Sequence, residues 1–266
     1  YPEFLDLPSS AKSPQQMFGA VAKTYFAEKL GVQREQLVVV SVMPCIAKKY
    51  EAQREEFAAD QNPDVDYSII THELAGLIKQ FNFDLKNLAE DDFDDPLGES
   101  TGAGVIFGKT GGVMEAALRT AYEWLTGETL KKVEFEEIRS TSSGIRKAAV
   151  QIGGLTVNVA VASGLGNARK IMEEIKAGNP DHLHAVEIMA CPGGCVNGGG
   201  QPYHHGDFGV IKKRQAALCG EDAEKKLRKS HENPFIQKLY EDYMGQPGHG
   251  KAHELLHTTY AAKERV

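Results

Sequence analysis

Glu187-Ile-Met-Ala-Cys-Pro-Gly-Gly-Cys-Val-Asn-Gly-Gly-Gly-Gln-Pro202 is the stretch on which the reading of this chain turns. A short apolar run ends at Met189, Cys191 and Cys195 follow with a glycine pair between them, and a triple glycine begins at Gly198. Thiolates are soft ligands that select zinc, copper(I) or iron–sulfur clusters over magnesium and calcium. Glycines beside them remove Cβ bulk and let backbone N–H groups approach an anionic cluster. A closed thiolate site takes about four ligands, so this bend needs partners from elsewhere.

Working outward, a third thiol lies in Met43-Pro-Cys-Ile-Ala-Lys-Lys-Tyr-Glu51. Cys45 follows a strand-like run, Leu37 to Val42, and Pro44 restricts the backbone beside it. Lys48 stands three residues on, near the face of Cys45 if the segment is helical, and its charge favours an ionised sulfur. Lys48 also pairs naturally with Glu51.

The two stretches fill every fixed position of the patterns MPCxxKxxE and ExMxCxxGCxxGGGQP, and in this the chain resembles the iron-only (FeFe) hydrogenases. Phe107-Gly-Lys-Thr-Gly-Gly-Val-Met-Glu-Ala-Ala-Leu-Arg-Thr120 is similar to the same family, as are Ser9-Ser-Ala-Lys-Ser-Pro-Gln-Gln16 and the ending Ala-His-Glu-Leu-Leu-His-Thr-Thr-Tyr260. The resemblance implies an α/β fold of two lobes, each a small mixed sheet flanked by helices, with a metal cluster in the cleft between them and a helical C-terminal tail. The expected division is 1–128, 129–226 and 227–266.

The activity implied is the reversible reduction of protons, 2H⁺ + 2e⁻ to H₂. The implied cofactor is the H-cluster, a 4Fe–4S cubane joined to a di-iron subcluster that carries carbon monoxide, cyanide and a bridging dithiolate. By the family pattern, Cys45, Cys191 and Cys195 hold the cubane, and Cys195 also bridges to the di-iron unit. Lys48 donates to a cyanide, and Met43, Pro14, Gln15, Phe107, Gly108 and Met189 pack around the di-iron unit. Ser9 and Glu51 are weaker carry-overs, Ser9 as a proton-relay hydroxyl. The family's first cysteine loop is absent, so an upstream segment is expected to supply the fourth ligand and a proton-donor cysteine. The chain therefore reads as a piece of a longer polypeptide. Partners implied are ferredoxin or another electron carrier and maturation proteins. The competing reading is a non-catalytic relative in iron–sulfur assembly or redox sensing.

Composition is compatible with this. The net charge of −7 argues against a nucleic-acid partner, and no apolar run approaches the ~18–20 residues of a membrane span. Four cysteines in so long a chain do not form a disulfide framework, which points to a reducing compartment, the cytoplasm, with the periplasm also open. Lys212-Lys-Arg214 and Lys225-Lys-Leu-Arg-Lys229 are basic runs that can attract an acidic electron carrier.

Along the chain, Ser13 caps a helix that starts at Pro14 and stops at Gly31. Strands are expected at 37–42, 65–70, 131–138, 147–152, 155–162 and 184–188. Helices are expected at 72–80, 113–125, 168–177, 222–230, from Pro234 to Met244, and at 251–258. Residues 81–100 read as an acidic surface loop. The glycine-rich run 102–112 fits neither phosphate-binding fingerprint in spacing. His253-Glu-Leu-Leu-His257 matches the zincin pattern, but the residues after it offer no histidine and only Glu264 besides the terminus as a third ligand. Cys219 belongs to no motif and reads as an incidental thiol. His182, His184, His204 and His205 read as surface or supporting residues.

Overall fold

A computed structural model describes residues 1–94, 96–135, 138–139 and 144–262. Its contacts gather into two compact units, Tyr1–Gly98 with Phe235–Val266, and Glu99–Pro234. These boundaries differ from the sequence-based ones at 128/129 and 226/227. The helix at 112–126 packs on the sheet that follows it in the chain, and the C-terminal helices pack back on the first helix.

In the first unit, helix α1 (Pro14–Val21) runs through a π-helical segment (Ala22–Phe26) into α2 (Ala27–Leu30). The Ser13 hydroxyl accepts from the Gln16 N–H, and Gly31 ends the helix at φ +68°, both as expected from sequence. Gly19 passes so close to the backbone of Asp64 that a Cβ would lie 2.5 Å from its carbonyl oxygen. Strand β1 (Val40–Met43) leads into α3 (Ala47–Ala52). A short hairpin, β2 (Ala58–Ala59) and β3 (Asn62–Pro63), precedes β4 (Tyr67–Ile70) and α4 (Thr71–Gln80). Strands β1 and β4 pair in parallel, Val40 opposite Tyr67 through Met43 opposite Ile70. That sheet is parallel rather than mixed, because both strands run toward helices on the same end. Val39, Ala22, Ala52 and Val65 form the core beneath it. The described residues of 81–100 contain neither helix nor strand; Asp95 lies outside the described residues.

The second unit begins with α5 (Gly102–Val105) and α6 (Gly112–Thr126). Strands β5 (Ile145–Ile152) and β6 (Leu155–Ser163) are antiparallel, and α7 (Leu165–Lys176) carries the chain to β7 (Ala185–Met189), parallel to β6. Side chains alternate across β6, as strand geometry requires. Val159 and Val161 meet Met114 and Leu118 of α6, while Ala160 and Ala162 meet Ile171 of α7. Both faces are covered, so the strand reads as a continuous apolar run. Burying each large side chain contributes about 1.5–3 kcal/mol.

Two expectations need correction here. Residues 131–135 and 138 form no strand: Phe135 and Ile138 are buried against the sheet and Val133 is also buried, but the Val133 carbonyl accepts from Arg119 Nε at 2.9 Å instead of from a ladder. Residues 136 and 137 of that expectation lie outside the described residues. The helix expected at 222–230 is instead α8, Gly209–Glu224. Its inward face carries Gln215 and Asp222 as well as Ile211, so no apolar stripe announces it. Back in the first unit, α9 (Pro234–Leu239) with a π-helical continuation (Tyr240–Met244) and α10 (Gly250–Leu256) place Leu239, Met244 and Ala252 against Val21 and Tyr25. Among the described residues no helix is long and apolar enough to cross a membrane.

Candidate metal centre

In the first unit the candidate residues gather at the carboxyl end of β1. Pro44 and Cys45 turn the chain from β1 into α3, and the Cys45 carbonyl accepts from the Lys48 N–H at 3.4 Å. One turn of helix puts Lys48 and Glu51 on one face. Lys48 Nζ donates to both Glu51 oxygens at 2.9 Å. The Ser13 hydroxyl donates to Glu51 Oε2 at 2.7 Å while it caps α1. Gln15 Nε2 donates to Glu51 Oε2 at 3.2 Å and to the Lys48 carbonyl at 3.1 Å. The parallel register sets Ser41 beside Ser68, and both hydroxyls donate to Gln15 Oε1, at 2.6 and 3.3 Å. Lys48, Glu51 and Gln15 are thus brought into one network, with Pro14 as first residue of α1 and Met43 as last of β1. Ser13, Ser41 and Ser68 were missed as members. Ser13 was recognisable only as a cap, and lone serines in strands carry no signal.

Ser9 stands apart from this network. It is exposed, its hydroxyl accepts from the Ala11 N–H at 3.2 Å, and its carbonyl accepts from the Tyr260 hydroxyl at 2.7 Å. The C-terminal segment clamps this stretch further, through Lys12 N–H to Leu256 O and Thr258 N–H to Ser10 O, each 2.8 Å.

In the second unit the candidate residues lie at the carboxyl end of β7, the usual place for a ligand in such sheets. The Met189 carbonyl accepts from Gly164 N–H at 2.8 Å as the strand ends, and Cys191 to Gly194 form a tight turn closed by Gly194 N–H to Cys191 O at 3.0 Å. Gly193 and Gly194 have φ of +86° and +96°. A Cβ on Gly194 would lie 2.6 Å from Thr110 N and 2.9 Å from the Gly108 carbonyl oxygen. The cysteine turn and the Phe107–Gly108 segment therefore meet backbone to backbone. Gly108 also lies against Leu218 of α8, 2.9 Å from an ideal Cβ.

Glu187 opens the signature stretch and has a structural task that its sequence position did not reveal. It is 8% exposed. Its oxygens accept from Gly111 N–H at 2.6 Å and Met114 N–H at 2.8 Å, at the N-terminus of α6. Burial raises its pKa, and these backbone bonds oppose the rise. Behind α6 lies a buried charge network that sequence inspection also missed. Glu115 takes Lys109 Nζ at 3.3 Å, Arg119 at 2.7 Å and Arg139 at 2.7 Å. Arg119 pairs with both oxygens of Asp222 at 2.8 Å.

The basic runs are largely committed to internal partners. The Arg214 guanidinium donates to the carbonyls of Val196 and Pro202. Arg228 pairs with Asp222 and Glu134, and Lys229 with Glu123 and Glu232. The zincin-like histidines stack at 4.6 Å, His253 on α10 and His257 as the extended residue that follows it, and His257 Nδ1 is 2.8 Å from the Ser10 hydroxyl. Glu264 lies outside the described residues. Among the described residues, the one group of three metal-capable side chains is Glu123, His231 and Glu232, and the Lys229 ammonium sits 2.6 Å from both carboxylates, already supplying the cation.

The residues fit an iron–sulfur group. Among the described residues no disulfide joins the cysteines, and Cys45, Cys191 and Cys195 are half-buried. The turn at Gly193–Gly194 leaves no space for side chains on the protein side, as close backbone packing around a cluster requires. Gln16, beside the Gln15 network, is fully buried with neither amide atom hydrogen-bonded in the structure, a polar group suited to facing a bound group.

Comparison with known proteins agrees with this chemistry. Residues 1–199 match the family model "Iron only hydrogenase large subunit, C-terminal domain", and residues 209–263 match "Iron hydrogenase small subunit". The NADP-reducing hydrogenase subunit HndD of Solidesulfovibrio fructosivorans is 59% identical over the whole of this chain, which covers 45% of that protein. Protein NAR1 of Arabidopsis thaliana is more distant, 34% identical over 95% of this chain and 56% of its own length. A solved structure of FeFe-hydrogenase HydA1 from Chlamydomonas reinhardtii is similar with a TM-score of 0.84 and 42% identity, covering 98% of this chain and 72% of that one. The chain thus spans about half the length of these curated relatives. With both cysteine loops built as described and a family model matched across most of its length, the chain belongs to the iron-only hydrogenase large-subunit family, of which it carries the C-terminal domain.

Proposed function

We propose that this chain is the cluster-binding part of a hydrogenase that interconverts protons, electrons and H₂. The observation that carries the reading is that the chain holds both a glycine-lined cysteine turn and, in its other unit, the Lys48–Glu51–Ser13–Gln15 network, and is far closer to a hydrogenase subunit than to NAR1. When bound, the H-cluster supplies the electron relay and the di-iron site at which protons are reduced.

Cys45, Cys191 and Cys195 would be the thiolates that hold the cubane, and Cys195 would also serve the di-iron unit. A fourth cysteine and the proton-donor thiol are proposed to come from outside residues 1–266. Lys48 has three N–H groups and directs two contacts to Glu51, which leaves one to orient toward a cyanide. Gln15, Met43, Pro14, Phe107, Gly108 and Met189 exclude water around the di-iron unit. Glu51, inside the Lys48 network, and Ser9, exposed and apart from it, are proposed as separate proton-relay groups. The electron acceptor is proposed to be a ferredoxin-type carrier; the relative HndD is described as NADP-reducing, and an NADP-linked partner is the other candidate.

The test uses the longest natural polypeptide, matured together with its maturation proteins. Infrared bands of metal-bound carbon monoxide and cyanide with H₂ evolution are expected. A sample holding a 4Fe–4S cluster but lacking both bands and activity would instead favour a role in iron–sulfur assembly or redox sensing.

A further inference from the structure

Four groups outside the signature pattern grip the cysteine turn. Ser163, at the end of β6 and 1% exposed, accepts from Gly193 N–H at 2.9 Å and donates to the Cys191 carbonyl at 3.3 Å. The Gly193 carbonyl in turn accepts from Thr110 N–H at 3.2 Å and from Gln215 Nε2 at 2.9 Å. Gln215 is 4% exposed, and its neighbour Arg214 donates to the Val196 carbonyl at 2.9 Å and the Pro202 carbonyl at 3.0 Å. Both backbone polar groups of Gly193 are therefore taken by residues outside the turn, and the chain on either side of Cys195 is tied to α8.

We propose that Ser163, Arg214 and Gln215 are positioning residues that hold Cys191 and Cys195 at cluster-binding spacing before metal arrives. This deepens the hydrogenase reading and rests on it. The physical reason is the glycine content of the turn. Residues at positive φ without Cβ have many accessible conformations. A turn rich in them keeps two thiols at fixed separation only if its peptide groups are held from outside. Ligands held in this way lose less freedom on binding metal, and such supporting partners typically change metal affinity by about 10- to 100-fold.

The experiment compares Ser163→Ala, Gln215→Met and Arg214→Met in the longest natural polypeptide, after cluster loading. Val157→Ala serves as control, since Val157 packs against the same sheet core without touching the turn. Iron release to a ferrous chelator and the electron paramagnetic resonance g-values of the reduced 4Fe–4S cluster are read. We expect release about 10- to 100-fold faster in Ser163→Ala and Gln215→Met than in the control, with shifted g-values, and recovery in Ser163→Thr. Release and g-values matching the control in both Ser163→Ala and Gln215→Met overturn the proposal. If Ser163→Ala does not fold, Gln215→Met decides alone, because it acts from a different element. A wild-type protein that holds no 4Fe–4S cluster overturns the cluster assignment and the clasp together.

Discussion

Lys48 Nζ and the Glu51 carboxylate meet at 2.9 Å on both oxygens, and the same carboxylate accepts from the hydroxyl that caps α1. Ser13 thus couples the start of α1 to the cation beside Cys45. A cap serine replaced by alanine costs about 1 kcal/mol. A partly exposed ion pair contributes about 0–1 kcal/mol. If the hydroxyl, carboxylate and ammonium act as one network, Ser13→Ala and Glu51→Gln are not additive. Urea unfolding of both single variants and the double variant should give a coupling of about 0.5–1 kcal/mol. Additive losses would show that Ser13 serves the helix alone.

Asp222 makes stability depend on acid. Burial would raise its pKa, but hydrogen bonds from Arg119 and Arg228 outweigh burial and bring it down to about 2. An aspartate in the unfolded chain titrates near 3.9. The resulting contribution, about 2–3 kcal/mol, is complete above roughly pH 4 and is lost as pH falls toward 2. Glu123 titrates in the same window: burial opposes the shift, and bonds from Lys229, the Leu130 N–H and His231 bring it to about 2. Asp222→Asn should flatten the acid limb of a stability–pH curve. It should also cost about 3 kcal/mol at neutral pH, because buried Arg119 then keeps Glu115 as its charge partner but loses both Asp222 oxygens. An unchanged acid limb in that variant would exclude Asp222 as its source.

His257 separates a motif from its context. Its ring is 2.8 Å from the Ser10 hydroxyl, and Ala11 forms a bridge with His257 in the same clamp. A zinc site there should show stoichiometric zinc and lose it on His253→Ala. We expect neither. His257→Ala should instead loosen the clamp by about 1 kcal/mol, visible as faster amide exchange at Lys12. Zinc bound in proportion to protein would reverse this assignment.

The sequence made these elements legible to different degrees, for physical reasons. Helix α1 with its Ser13 cap and Gly31 stop, and the β5-β6-α7-β7 order that delivers Cys191, rest on local chemistry and periodicity, and both were readable. Helix α8 was misplaced because Gln215 and Asp222 point inward, where a pattern reader expects apolar residues. Their reason for being there, the Gly193 carbonyl and Arg119, lies 22 and 103 residues away. The segment before Ile138 read as a strand because buried valine and phenylalanine look alike whether or not a ladder is present. The cysteines and Lys48 were found because their spacing is local, while Ser13, Ser163 and Glu187 act through partners that only folding brings near.

The glycines of the cysteine turn should rank by what their missing Cβ would meet. Gly194 sits at φ +96°, ψ −165°, a region essentially reserved for glycine. Its Cβ would strike the backbone of Gly108, Lys109 and Thr110 at 2.6–2.9 Å, and backbone cannot step aside. Gly193 is also at positive φ, but its Cβ would meet Ile211 Cγ2 at 2.8 Å, a side chain able to move. Gly154, at φ +84° in the β5–β6 turn, faces open space. Alanine at Gly154 should cost only the left-handed strain, about 1–2 kcal/mol. At Gly193 it should cost a further ~1 kcal/mol or more for the shifted neighbour. At Gly194 it should displace the turn from the Phe107–Gly108 segment and abolish iron retention. Thermal unfolding and iron content after gel filtration give the order, and a Gly194→Ala protein that keeps its iron as Gly154→Ala does would mean that the turn is not held against that segment.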